Sequence, residues 1–348
     1  MKLKKTEALL STLKKEAALG TYALAVGVRG EETALFSDNA DADTCFDVAS
    51  VTKVLCTATL LLQALGEGRL SLDSTLDAFF DNVPADKKAV TVRHLLTHTS
   101  GINRFSGVIP ENVAGGGRKE TAAYLMSHSL PYPPGGDFSY SCYGYILLGF
   151  IAEAVFGDTL DRLFETRIAD PLGLARSRFG VAPDEKNAAL CYRRKDVGAY
   201  RVDDENAYTL DGVAGNAGLF VTLADMRIFA RAFLAKDSRL YSRGLFDEAE
   251  RDHTPTFSEG RGLGWLVVDK RYRQTGTLFP DGSVGHCGHT GQSFFFHRGS
   301  GLYVVLLTDA TRSDYLRRGM TTYDYGAVTS MRERVHNAVK EDLTENGL

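Results

Sequence analysis

The stretch that decides the fold runs from Phe46 to Val54 and reads FDVASVTKV. It places Ser50 three residues before Lys53, and a long apolar run follows at residues 54–65. If that run is a helix, Ser50 lies in its first turn and Lys53 lies one turn along on the same face. A lysine amine whose pKa is lowered by burial or by a nearby positive charge can take the proton of a serine hydroxyl. N–H groups at a helix N-terminus favour the negative charge that then develops. The pair therefore predicts a nucleophile and its base.

Two later segments bear on whether this pair is catalytic or structural. Residues 133–145 read PPGGDFSYSCYGY, so a turn rich in proline and glycine places Tyr140 before an apolar helix, where it can move a proton. Residues 285–293 read GHCGHTGQS and lead into a strand, against whose backbone a substrate can lie closely. The residues taken singly leave structural interpretations open: a capping serine with a solvated lysine, a tyrosine packed at a domain seam, and a glycine turn with two surface histidines.

Composition narrows the class of protein. The chain has 348 residues, of which 44% are hydrophobic and 24% charged, with a net charge of −4, as expected for a globular protein of one large or two smaller domains. No basic block stands out, so a nucleic-acid partner is not expected. Apolar runs are interrupted by polar residues or glycine, so no membrane span is expected. The mixed charges of residues 2–16 do not match a secretory signal, and we expect a cytoplasmic location.

The sequence gives little indication of a metal site or of disulfide bonds. An odd, scattered set of cysteines is not a disulfide framework, and no pair has zinc-finger spacing, which agrees with a reducing compartment. His94 and His98 are four residues apart, as zinc-binding histidines on a helix can be, but no third ligand is near them in sequence. We therefore expect neither a metal nor a cofactor. The five cysteines are Cys45, Cys56, Cys142, Cys191 and Cys287.

The order of predicted elements indicates an α+β fold. Strand patterns occur near both ends of the chain, and the middle is mainly helical with long loops marked by glycine and proline. One antiparallel sheet built from both ends and covered by the terminal helices fits this order, with a large helical region inserted. The predicted helices are 2–19, the Ser50 helix up to about residue 66, 92–97, 143–156, 159–168, 223–234 and 323–341, and the predicted strands are 21–28, 32–36, 263–269, 293–296 and 302–308.

Taken together, the motifs resemble a known superfamily. The S-x-x-K pair, the Tyr140 segment and the His286 segment, with residues 92–101, 212–220 and 262–265, are similar in kind and order to the serine β-lactamases and penicillin-binding proteins. The resemblance is to the class C β-lactamase-like branch, which includes DD-carboxypeptidases and related esterases. It implies an α/β sandwich formed by residues 1–48 and 256–348, a mainly helical domain at 49–255, and an active site in the groove between them.

The resemblance also implies roles for individual residues. Ser50 would be the acylated nucleophile, with Lys53 and Tyr140 sharing the work of a base. The third motif would be His286-Cys287-Gly288, and the backbone N–H groups of Ser50 and His289 would form the oxyanion hole. His289-Thr290-Gly291 also spells His-Thr-Gly and is a competing register. The earlier register is preferred because the strands after it then fall at the expected distance.

Three positions depart from the pattern of that branch. Cys142 stands where an asparagine amide usually contacts both substrate and lysine, and a thiol cannot copy that role. Cys287 stands where threonine is usual, so the two cysteines are either small fillers or, if both line the groove, a thiol pair able to bond or to bind a soft metal with His286. His286 replaces a lysine and loses its charge near neutrality, which predicts weaker selection for anionic substrates above about pH 7.

The function predicted from these features is a serine hydrolase that acts through an acyl-enzyme on a β-lactam, a D-alanyl peptide or a small carboxylic ester. The expected partner is thus a small-molecule or peptide substrate, and the oligomeric state is not predicted. The alternative is a weakly catalytic or non-catalytic protein that binds β-lactam-like or peptide ligands with the same fold. The loss of asparagine at position 142 favours this alternative, and the presence of both Ser50 and Lys53 opposes it.

Overall fold

The computed structural model describes residues 2–29, 31–102, 107–180, 187–191, 202–272 and 274–348. Ten strands are described: β1 Tyr22–Val28, β2 Glu31–Asp38, β3 Phe46–Asp47, β4 Arg178–Phe179, β5 Leu219–Val221, β6 Gly260–Arg261, β7 Leu266–Val267, β8 Val284–Cys287, β9 Ser293–His297 and β10 Leu302–Thr308. The described α-helices are α1 Lys4–Lys15, α2 Thr59–Gly66, α3 Val92–Leu96, α4 Glu111–Ala114, α5 Arg118–Met126, α6 Cys142–Phe156, α7 Leu160–Phe164, α8 Asp170–Leu172, α9 Glu205–Thr209, α10 Leu223–Leu234, α11 Arg243–Glu250, α12 Ala310–Arg317 and α13 Tyr325–Glu345.

The main sheet has seven antiparallel strands in the order β2-β1-β10-β9-β8-β7-β6. The pairing of β1 with β10 joins the two ends of the chain, since Tyr22 of β1 lies opposite Thr308 of β10. A second, three-stranded sheet has the order β3-β5-β4. The α+β prediction is therefore confirmed, while the domain limits at residues 48 and 256 stay a prediction.

Strand β10 shows why the sheet needs cover on both faces. Leu302, Val304 and Leu306 belong to a buried cluster with residues of α1 and α13, whereas Tyr303, Val305 and Leu307 belong to the larger cluster that includes α2, α6 and α10. Alternate side chains of a strand point to opposite faces, so an all-apolar strand requires a layer on each side. The terminal helices form one layer and the helical region forms the other.

A buried carboxylate joins the two terminal helices. Asp342 of α13 accepts hydrogen bonds from the backbone N–H of Lys5 at 3.0 Å and of Thr6 at 2.8 Å. These N–H groups lie in the first turn of α1 and have no partner within their own helix. A negative charge there also interacts favourably with the positive end of the helix dipole.

The Ser50 segment is less regular than the apolar pattern predicted. Ser50 lies in a short 3₁₀ turn at Ala49–Val51, a π-helical stretch follows at Lys53–Ala58, and a regular α-helix begins only at Thr59. Ala49, just before Ser50, has a φ of 46°, which alanine adopts only at a cost in energy. The expectation that Ser50 lies in the first turn of an α-helix is therefore wrong: Ser50 lies in a 3₁₀ turn, and the wider π-helical turn follows it.

Other boundaries differ mainly where the elements are short. The first helix ends at Lys15 rather than residue 19, and the strand expected at 263–269 is reduced to Leu266–Val267. The helix predicted at 159–168 is α7 followed by a π-helical turn at Glu165–Ala169. By contrast, α10 and β10 have the predicted limits.

In the part of the chain that the structure describes, one helical segment meets the length and hydropathy test for a membrane span. The segment Ala49–Gly66 is 18 residues long and apolar enough to cross a membrane, and 83% of it is buried inside the protein. This segment is longer and more apolar than was expected from the sequence, and the absence of a membrane span stays a prediction. A core helix passes the same test.

Candidate active site

Ser50 and Lys53 are in direct contact. Lys53 Nζ lies 2.9 Å from Ser50 Oγ and donates to the backbone oxygen of Asn216 at 2.8 Å. Lys53 is 0% exposed, and this burial lowers the pKa of its amine because a charged group is poorly solvated there. A lysine held in this way can accept the proton of the serine hydroxyl.

The loop before Ser50 is fixed by a buried carboxylate. Asp47 accepts from the backbone N–H of Ala49 at 2.8 Å with one oxygen and from that of Asp203 at 2.8 Å with the other. The first of these bonds holds Ala49 in its left-handed conformation, which sets the direction from which Ser50 enters the site. Burial raises the pKa of Asp47.

Tyr140 lies over the same amine. Lys53 Nζ is 5.1 Å from the centroid of the Tyr140 ring. Burial raises the pKa of Tyr140 well above its usual value, and its interaction with the Ser50 side chain opposes that rise. The structure therefore brings together the three side chains that the sequence assigned to proton transfer.

His98 holds the Tyr140 segment in place. Its ring stacks on Tyr140 with centroids 4.5 Å apart, and its Nδ1 accepts from the backbone N–H of Ser141 at 3.0 Å. Its own backbone oxygen accepts from Ser139 at 3.0 Å. Burial keeps the pKa of His98 well below its usual value, so the ring stays neutral and Nδ1 can accept. The zinc spacing with His94 thus has another explanation, since His94 Nδ1 faces Thr91 at the start of α3.

The two cysteines of interest have different partners. Cys142 begins α6, and its Sγ lies 3.7 Å from Lys53 Nζ. Cys287 ends β8, and its Sγ lies 3.3 Å from Tyr272 Oη. Both are free thiols, and no cluster of three or more His, Cys, Asp or Glu side chains suited to a metal is present in the part of the chain that the structure describes. The two thiols thus contact different residues, and a thiol pair stays one of the two alternatives.

The third motif places His286 beside Tyr140. The two rings are 6.1 Å apart, His286 is 3% exposed, and its Nδ1 lies 2.8 Å from the backbone oxygen of Cys287. His289 instead directs its Nε2 to Asp203 Oδ2 at 2.7 Å. This arrangement favours the register His286-Cys287-Gly288. Burial holds the pKa of His286 well below 6.5, so the expectation that it loses its charge near neutrality is corrected: it is already neutral there.

The turn after β8 is tied to the nucleophile loop. The backbone oxygen of Asp47 accepts from Thr290 Oγ1 at 3.1 Å and from Gln292 Nε2 at 2.8 Å. A Cβ added to Gly288 would lie 2.5 Å from the backbone oxygen of Val48, so only glycine allows this approach. These contacts fix the distance between the Ser50 loop and the backbone at Gly288 and His289.

Two groups of functional residues were missed from the sequence. Arg261 of β6 has its guanidinium carbon 5.4 Å from the centroid of the Tyr140 ring, although only the neighbouring residues 262–265 had been singled out. Asp203 binds His289, and Asp204 accepts from Asn216 Nδ2 at 3.0 Å, which steadies the oxygen that holds Lys53. Two adjacent aspartates before a helix carry no signal beyond that of a helix cap.

Comparison with known proteins agrees with this geometry. The beta-lactamase family model matches residues 6–327. The chain is 29% identical over 308 residues to a candidate D-alanyl-D-alanine carboxypeptidase of Escherichia coli O157:H7, covering 78% of this chain and 70% of that protein. It is 30% identical over 304 residues to an N-acetylmuramyl-L-alanine amidase of Bacillus subtilis, covering 76% and 68%.

A solved structure supports the fold independently. EstCE1, a hydrolase with promiscuous acyltransferase activity, superposes with a TM-score of 0.76 at 19% identity, covering 97% of this chain and 98% of that one. The resemblance drawn from the motifs is confirmed, and the protein is a hydrolase of the serine type. The chain belongs to the beta-lactamase family.

Proposed function

We propose that the protein hydrolyses small carboxylic esters through an acyl-enzyme formed on Ser50. The observation that carries this proposal is the 2.9 Å contact between Ser50 Oγ and the amine of Lys53, which is 0% exposed. Burial lowers the pKa of this amine, which makes it a better base near neutral pH than an exposed lysine is.

The steps follow from the residues in contact. Lys53 takes the hydroxyl proton as Ser50 Oγ attacks the substrate carbonyl carbon, and the carbonyl oxygen becomes an oxyanion. The backbone N–H groups of Ser50 and His289 receive that charge. Tyr140 passes the proton to the leaving alcohol as the carbon–oxygen bond breaks. Water then attacks the acyl-enzyme with the same groups as base, which releases the acid and restores the serine.

Esters are preferred over β-lactams and D-alanyl peptides because of Cys142. Its thiol lies beside Lys53 but is a weak donor and a weak acceptor, so it offers little to a substrate amide. An ester needs no such partner for its acyl group. D-Alanyl peptides, the substrate class in the name of the Escherichia coli relative, are the second candidate.

The test is a panel of chromogenic esters, D-alanyl dipeptides and cephalosporins assayed with the wild type and with Ser50→Ala. Ester turnover that vanishes in Ser50→Ala supports the proposal. Stoichiometric labelling by a fluorescent penicillin without turnover of any substrate would show instead the binding protein considered above. Faster turnover of dipeptides or cephalosporins than of esters would overturn the preference for esters.

A further inference from the structure

Arg261 is a buried cation beside the proposed proton-transfer groups. It is 4% exposed, and its guanidinium carbon lies 5.4 Å from the ring centroid of Tyr140 and 5.5 Å from that of Phe138. Its Nη2 pairs with Glu259, whereas its Nε and Nη1 are buried without a hydrogen-bond partner among the described residues. A guanidinium so placed keeps its charge at every pH at which a protein is folded.

The third motif does not supply such a charge. His286 stands beside Tyr140, but burial depresses its pKa and leaves the ring neutral. A neutral imidazole cannot make proton loss from a neighbouring group easier, whereas a fixed cation can. Arg261 also adds to the burial effect that lowers the pKa of Lys53, and it acts against the burial effect that raises the pKa of Tyr140.

Other charges around the pair act in both directions. Asp204, at the start of α9, favours the charged form of Lys53 by more than Arg261 disfavours it, and Glu259 pairs with the guanidinium. Arg332 of α13 adds a second cation near His286. Among the described residues, the other ionisable groups that face the pair are Cys142, which also favours the charged form of Lys53, and His98, Tyr145 and Tyr325. The sign is the same whichever group is the base, because a cation favours the unprotonated form of both lysine and tyrosine.

We propose that Arg261 is a positioning residue that keeps the Lys53–Tyr140 pair ready to accept the Ser50 proton near neutral pH. The inference rests on the proposed function of those three residues. It predicts a specific effect on pH dependence rather than a general loss of activity.

The experiment measures the rate of Ser50 labelling by a fluorescent fluorophosphonate, and kcat/KM for a neutral chromogenic ester, from pH 5 to pH 10. In Arg261→Met the pH at which the rate is half its maximum should rise by roughly one unit, the size expected for a cation several ångströms away in a partly screened site. Arg261→Lys keeps a positive charge beside Glu259, so its rate should be half-maximal at a pH close to that of the wild type.

Arg298 offers a matched control. It also pairs with a glutamate, Glu250, and lies 5.6 Å from each of two ring centroids, those of Phe246 and Phe296. It follows β9 at the end opposite the third motif. Arg298→Met should therefore reduce the melting temperature without moving the pH profile.

The outcomes distinguish a failure of the proposed role of Arg261 from a failure of the proposed function. A profile that is unchanged in Arg261→Met while the wild type labels at Ser50 overturns the role of Arg261 and leaves the proposed function intact. An equal shift in Arg298→Met also overturns it, since the effect would then come from lost stability. If the wild type does not label at Ser50, both the proposed function and this inference are wrong.

Discussion

Replacing Asp203 by asparagine should slow catalysis without weakening substrate binding. Asp203 links the two sides of the proposed oxyanion hole: its N–H donates to Asp47 at 2.8 Å, and its side chain accepts from His289 Nε2 at 2.7 Å. The His289 backbone N–H is the group expected to receive the charge of the tetrahedral intermediate. Asparagine keeps the size of the side chain but removes the charge that orients the imidazole.

The size of the expected fall in kcat follows from what Asp203→Asn removes and what it leaves in place. Deleting an oxyanion donor outright costs on the order of 10²- to 10³-fold in kcat. Here the donor stays, held by the Thr290 and Gln292 contacts to the backbone of Asp47, and only one anchor is weakened. We therefore expect kcat to fall roughly tenfold, or about 1.4 kcal/mol in the activation barrier. KM should change little because the oxyanion exists only in the transition state.

The assay is steady-state hydrolysis of a chromogenic ester, with inhibition by a boronic acid as a measure of affinity for a tetrahedral adduct. Asp225→Asn is the control, since Asp225 is also buried and accepts three backbone N–H bonds of 2.7 to 3.0 Å, but lies away from Ser50. The reasoning fails if Asp203→Asn has the wild-type kcat. It also fails if Asp225→Asn lowers kcat and boronate affinity as much as Asp203→Asn does.

Three further predictions concern other parts of the molecule. Gly288→Ala places a Cβ 2.5 Å from a backbone oxygen and should lower kcat/KM at least about tenfold, whereas Gly244→Ala, with open space in α11, should raise the melting temperature slightly; full activity of Gly288→Ala would contradict this. Because His286 is already neutral, the ratio of kcat/KM for acidic and neutral esters should stay constant from about pH 6 to 8.5, and a steep fall in that ratio would show that the histidine titrates there. Burial lowers the pKa of His336 to about 3, below its unfolded value, so the native state excludes a proton that the unfolded chain binds. Its contribution to stability is complete above about pH 6.5 and falls by up to about 1.4 kcal/mol per pH unit below that, so His336→Gln should flatten the dependence of melting temperature on pH between about 4 and 6.5; an unchanged slope would refute it.

The sequence carries the parts of the site that depend on local pattern. Ser50, Lys53 and Tyr140 lie in segments where spacing, apolar periodicity and turn residues all point the same way, and the structure brings them together. The pairing of β1 with β10 was also predictable, because two apolar strands at opposite ends of the chain need each other as neighbours.

The sequence does not carry contacts that exist only after folding. Arg261 and Tyr140 are far apart in the chain, and an arginine before a glycine is ordinarily a surface residue. The contacts of His98 could not be predicted either, because its spacing from His94 says nothing about which ring nitrogen meets a backbone N–H. The π-helical turn at Lys53 was missed for a related reason, since apolar spacing does not distinguish it from an α-helix over so few residues.

The cysteine at position 142 explains how acyl transfer and amide recognition can be separated in this site. Lys53 has two close polar contacts, Ser50 Oγ and the backbone oxygen of Asn216, and Asp204 fixes Asn216 in turn. The amine is therefore oriented by the helical region rather than by the second motif, so a weak thiol contact at 3.7 Å is enough there. What the thiol cannot replace is a strong donor and acceptor for a substrate amide. On the proposed function, the proton-transfer groups are all present while recognition of an amide is weaker, and this combination favours an ester as substrate.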